Sequence, residues 1–184
     1  TLAIRASLEK VTDARPPLDI KATKSIPDLS DKVTAKLLSD FRESQVFQAT
    51  SFPVDPESDV VLKVTIKRFY WKFKIYPTYF LPLIQVIHIF GAPMADILGI
   101  SELTAKVVHQ TSGNEIATYE GKGQLKSVMS MYDMKTGEMG AELADAFRQA
   151  SKQIKEAIWK DKQRIEETVQ RIAAPAQPQS PAIP

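Results

Sequence analysis

The feature that most restricts the fold is the run DVVLKVTIKRFYWKFKIY at residues 59–76. Leu62, Val64 and Ile66 fall on even positions, whereas Phe69, Trp71, Phe73 and Ile75 fall on odd ones. Side chains of a strand alternate between its two faces, so the apolar face changes sides at Lys67-Arg68. One extra residue there, a β-bulge, would return both sets to one face. Without it, the aromatic half must face something other than the first core. Lys72 and Lys74 are interleaved with Tyr70, Trp71, Phe73, Ile75 and Tyr76. A solvated lysine face over a buried aromatic face accounts for that pattern; a lipid headgroup layer or single-stranded bases would use the same residues.

The rest of the chain supplies partners for this strand. Residues 2–9, LAIRASLE, alternate apolar and polar and predict a half-buried strand. The proline-bearing segment DARPPLDIKATKSIP reads as a loop, with room for a short extra strand at 18–22. Asp28 is placed to cap a helix in which Val33, Leu37, Leu38 and Phe41 share a face. Pro53 and Pro56 bound a second loop. ELTAKVVHQ and EIATYEGKGQL flank the turn formers Thr111-Ser112-Gly113-Asn114 and predict a hairpin, with Gly121 and Gly123 marking a bulge or close packing. A long helix is expected over about 137–172, its charge-dense end past Trp159 projecting from the domain or meeting another chain. Prolines 175, 178, 181 and 184 give residues 173–184 the spacing of a disordered, polyproline-like tail. The order β-α-β-β-β-α predicts one α+β domain over 1–172: a mainly antiparallel or mixed sheet, two helices on one face, and a hydrophobic insertion at 76–99.

Composition excludes several function classes. Lys plus Arg number 24 against 22 Asp plus Glu, a balance unlike the clustered positive excess of a nucleic-acid-binding face. The absence of cysteine removes disulfides, thiolate metal sites and cysteine nucleophiles. His88 and His109 have neither the spacing nor the neighbouring carboxylates of a zinc pair. Asp55, Glu57 and Asp59 lack the glycine and distant glutamate of a calcium loop and suit a polar lead-in to a strand. None of the seven glycines completes a phosphate loop, and there is no GxSxG elbow. Met129, Met131, Met134 and Met139 suit adaptable packing better than copper binding. No enzyme activity, cofactor or metal is expected.

The remaining feature is FLPLIQVIHIF at 80–90, too short to span a bilayer. Pro82 argues against a central strand there, and Gly91 and Pro93 end the run before a short MADILG turn or helix. With Trp71 and Phe73, the residues Tyr79, Phe80, Leu83, Ile84, Val86, Ile87, Ile89 and Phe90 are the candidate surface for a partner or membrane. Its apolar area would contribute roughly 25 cal/mol per Å2 buried. The same residues could instead line a pocket for a lipid or other hydrophobic ligand, or be ordinary core.

The helix DLSDKVTAKLLSDFRESQVF followed by SDVVLKVTIKRFYW, and then LTAKVVHQTSGNEIATYEGKG before a terminal helix, resembles the α/β domains of Gram-negative envelope lipoproteins. That group includes the curli secretion lipoprotein CsgG, the TolB amino-terminal domain and transport-auxiliary lipoproteins. The resemblance spans about residues 1–160 and rests on periodic patterns. It implies a non-enzymatic role in assembly, transport or surface maintenance. It also implies a periplasmic location with outer-membrane anchoring through a lipidated cysteine upstream of Thr1. The expected partner is an envelope protein or the membrane surface, with a homo-oligomer as a further option. Two alternatives are a periplasmic carrier of a hydrophobic ligand and a single-stranded nucleic-acid module using Trp71 and Phe73.

Overall fold

A computed structural model describes residues 1–22, 26–80, 87–88, 90–130 and 141–173. Six strands form one mixed sheet: β1 (Leu2–Leu8), β2 (Thr12–Asp13), β3 (Phe47–Ser51), β4 (Val60–Ile75), β5 (Pro93–His109) and β6 (Glu115–Ser130). Among the described residues, helices α1 (Pro17–Ala22), α2 (Leu29–Ser44), α3 (Ala141–Lys160) and α4 (Lys162–Ala173) accompany them. The strand order is β3-β1-β4-β5-β6, with β2 pairing beside β4. β1 runs parallel to both β3 and β4, whereas β5 runs antiparallel to both β4 and β6. Parallel neighbours need a crossover, and α2 lies in the connection from β1 to β3.

The parity switch in β4 is resolved by the bulge. Ile66 pairs with Leu103 and Arg68 with Glu102, so Lys67 is the extra residue and its side chain is exposed. Leu62, Val64, Ile66, Phe69 and Trp71 consequently all face the main core. Over that face lie α2 through Leu29, Val33, Leu37 and Phe41, α3 through Leu143, Phe147, Ala150, Ile154 and Ile158, and α4 through Ile165 and Val169. Each buried side chain of this size stabilises by about 1.5–3 kcal/mol. Gly121 and Gly123 serve close packing: a Cβ at either would strike the backbone carbonyls of Ala150 or Ala146 on α3. Gly99 meets α3 in the same way at Glu142 and Leu143. These contacts lay α3 directly on the β5–β6 hairpin.

Several expectations are corrected. Residues 18–22 form helix α1 rather than a strand; its Asp19 is buried and accepts a hydrogen bond from Arg68 Nε at 3.3 Å. The MADILG stretch is the start of β5, extended by pairing with both β4 and β6, so the insertion shrinks to residues 76–92. The terminal helix turns at Asp161, and its charge-rich end does not project: Ile165 and Val169 are core, and Glu166 Oε1 accepts from the Ala3 amide at 2.8 Å. The α+β class with a mixed sheet and helices on one face is as expected, the long second helix being divided into α3 and α4. Asp28 occupies the N-cap position of α2, yet its left-handed backbone (φ 54°) keeps the carboxylate from making a capping bond. The short strands β2 and β3 add to the predicted set. Residues 137–140 and the tail 174–184 lie outside the described residues.

Candidate functional site

The β4–β5–β6 meander outruns the helices. Helix α3 begins level with Gly99, where Trp71 pairs with Gly99 and Gly99 with Leu125. Beyond that level the strands carry a small second cluster of Met94, Ala95, Ile97 and Met129, with Phe73 packed against it. The meander ends in a 3-10 turn, Pro77–Phe80, after β4 and in residues 87–88 and 90–92 before β5. Tyr76 ties this end together: its amide donates to the Met94 carbonyl at 2.9 Å and its hydroxyl to Asp96 Oδ1 at 2.6 Å. That bond, with Lys126 at 3.0 Å from Asp96, holds the Asp96 carboxyl below its usual range and pushes the Tyr76 phenol up.

At this end Phe80 is 66% exposed, Ile87 52% and Phe90 84%. Apolar side chains crowded at one solvent-facing end mark an interaction site more often than scattered ones do. Tyr79 lies in the 3-10 turn, and Leu83, Ile84, Val86 and Ile89 fall outside the described residues. Trp71 and Phe73 do not join the tip. Trp71 packs against the main core and Phe73 against the second cluster, so both support the meander from its inner face. His88, next to Ile87, is buried, with Nδ1 3.2 Å from the Ala92 carbonyl. It braces the tip from within, a role the apolar run alone did not signal.

The opposite face of the sheet at this end is cationic. Lys72 pairs across strands with Leu98 and Leu98 with Lys126; Lys74 pairs with Asp96 and Asp96 with Val128. Nearer the middle, the Arg68 guanidinium lies 4.7 Å from the Tyr70 ring centroid and donates to its hydroxyl at 2.7 Å. Lys72 Nζ lies 5.5 Å from the same ring.

The other sequence candidates have structural roles. Asp59 Oδ2 accepts from the Arg5 amide at 2.6 Å, Asp55 Oδ1 from the Glu57 amide at 2.9 Å, and Arg5 pairs with Glu57. His109 Nδ1 accepts from the Ser112 amide at 3.2 Å and orders the hairpin turn. Met129 is buried in the second cluster. No group of three potential metal ligands occurs among the described residues. An apolar groove of about 310 Å3 between α2 and α3 is floored by Phe69 and Phe147, and a cleft of about 420 Å3 lies beside Trp159. Neither is lined by residues 76–99. No described helix is long and apolar enough to cross a membrane.

Fold and site together define an α+β domain whose long three-stranded meander ends in exposed apolar side chains beside a basic outer face. No family model matches the chain, and the comparison with curated proteins gave no match. Among solved structures, the chain is similar to a homologue of the neuraminyllactose-binding hemagglutinin from Helicobacter pylori, at 13% identity over 93% of this chain and 92% of that one, with a TM-score of 0.50. It is also similar to a Xanthomonas campestris protein of family DUF330, at 16% identity over 92% and 90% of the two chains, with a TM-score of 0.49. The minor lipoprotein of Acinetobacter baumannii is 16% identical over 96% and 98%, with a TM-score of 0.37. At such identities the likeness is one of fold.

Proposed function

We propose that the chain is a non-enzymatic domain of the Gram-negative cell envelope, held at the periplasmic side of the outer membrane by a lipidated cysteine upstream of Thr1. It acts by contact through the end of the meander. The observation that carries this reading is the joint exposure of Phe80, Ile87 and Phe90 at one end of a well-paired sheet. The envelope assignment draws on the lipoprotein pattern of the helix, strand and hairpin segments.

The test places a photo-crosslinking residue at Phe90, and separately at Lys155 beside the distant Trp159 cleft, in the full-length precursor expressed in a Gram-negative host. Adducts at 90 but not at 155, in the membrane fraction, are expected. Ile87→Asp with Phe90→Asp should remove the adducts formed from a crosslinker at Phe80 while the purified domain keeps its melting temperature. If that double variant unfolds, the tip is core and the contact reading loses its basis. An absence of adducts at 90 also ends it.

A further inference from the structure

We propose that the occupant of the tip is the surface of an anionic phospholipid bilayer; this rests on the contact reading above and names what is contacted. The charge distribution favours lipid over protein. From Ile75 to Ala95 the chain has no Asp, Glu, Lys or Arg, so the segment joining β4 to β5 carries no charged side chain of these types. Charge returns in a collar one step back along the strands, and there it is mostly positive: Lys72, Lys74 and Lys126 on the outer face of β4 and β6. The acid among them, Asp96, is already engaged by Tyr76 and Lys126. Lys72 and Lys74 make no ion pair among the described residues.

This layering follows depth into a bilayer interface. Phe80, Ile87 and Phe90 would enter the acyl boundary, Tyr76 would sit at the carbonyl level, and the lysines would meet the phosphates. A protein interface usually has a polar rim of mixed sign around its apolar centre. A net-positive outer face beside this uncharged segment fits an anionic surface. Each lysine near such a surface raises partitioning about fivefold. Three apolar side chains give only reversible binding, which suits a domain that also has a tether.

The experiment uses the purified chain and vesicle flotation at low ionic strength. Vesicles of phosphatidylethanolamine with phosphatidylglycerol are compared with vesicles of phosphatidylcholine alone. The chain should float with the anionic vesicles and not with the neutral ones, and binding should fall steeply when salt shortens the Debye length. Lys72→Glu with Lys74→Glu should cut partitioning by about 25-fold or more, and Phe80→Ser with Phe90→Ser should abolish it. Phe90→Trp supplies a measurement that does not depend on the loss variants folding: its emission should shift to the blue only with anionic vesicles. No flotation and no shift overturns the bilayer proposal. The contact reading then stands or falls separately on whether position 90 crosslinks to a protein in cells. Equal, salt-insensitive binding to both vesicle types also overturns it, because the collar would then have no part.

Discussion

The Tyr119 hydroxyl, Asp161 and Arg164 form a small network where α3 turns into α4. Tyr119 donates to Asp161 Oδ2 at 2.6 Å, and Arg164 Nε donates to the same carboxylate at 2.8 Å. The Arg164 bonds, reinforced by Tyr119, hold the Asp161 carboxyl below the ordinary aspartate value of 3.8, while burial and Asp161 push the Tyr119 phenol up. A carboxyl lowered in the folded state stabilises fully above its unfolded pKa, and that stabilisation is lost as pH falls through the lowered value. Asp161→Asn should therefore flatten the decline of stability below about pH 4, read as urea midpoints across an acid series. Tyr119→Phe should cost about 1 kcal/mol at neutral pH by the same measurement. Gly123 gives a sharper expectation at this scale. A Cβ there overlaps the Ala146 carbonyl, which no rotamer can relieve, so Gly123→Ala should destabilise by about 3 kcal/mol or more in chemical denaturation. The sequence marked this glycine as a site of close packing or a bulge. Choosing between them needed the helix, which lies far along the chain.

Among elements, β4 was the most legible, because sixteen residues of alternation leave little freedom of register. The parity switch located the bulge to within one residue, and pairing places Lys67 as the insertion. Deleting Lys67 would then turn Phe69 and Trp71 to the solvent face, and we expect the deletion variant to lack a cooperative melting transition. Lys67→Ala keeps the residue count and should change stability by less than about 0.5 kcal/mol. Elements set by tertiary contacts were harder to read. β2 has two residues and β3 five, and both exist because a parallel neighbour satisfies their backbone groups. The polar surface of α4 suggested a projecting end, yet two side chains at a four-residue step, Ile165 and Val169, are enough to fasten it. Ending the chain at Asp161 should cost roughly 3–6 kcal/mol, the burial of those two side chains, as seen in the shift of the denaturation midpoint.

Across the whole molecule, the sheet has two halves with different support. The half from β1 to the level of Gly99 lies under three helices and the main core, whereas among the described residues the outer half is held by the four-residue second cluster with Phe73, by its own pairing and by the Ser127–Glu142 hydrogen bond. Its edge strand β6 is guarded in the inner half, where Gln153 and Gln149 of α3 accept from the Lys122 and Gln124 amides at 2.9 and 3.3 Å. That division explains why the candidate site was only partly legible. Hydrophobicity singled out 80–90, but a sequence does not say that Trp71 and Phe73, from the same aromatic group, fall on the packed face. It also does not say that MADILG is drawn into a strand by partners on both sides. Native-state amide exchange should report the division along a single strand. Within β5, amides near Leu103 and Ala105 should exchange only through global unfolding, whereas those near Ala95 and Ile97 should exchange through smaller openings with lower free energy. Uniform protection along β5 would mean that the tip is as firmly built as the core. A gradient would fit a stable base carrying a less protected end, and anionic vesicles should then raise protection in the outer half alone.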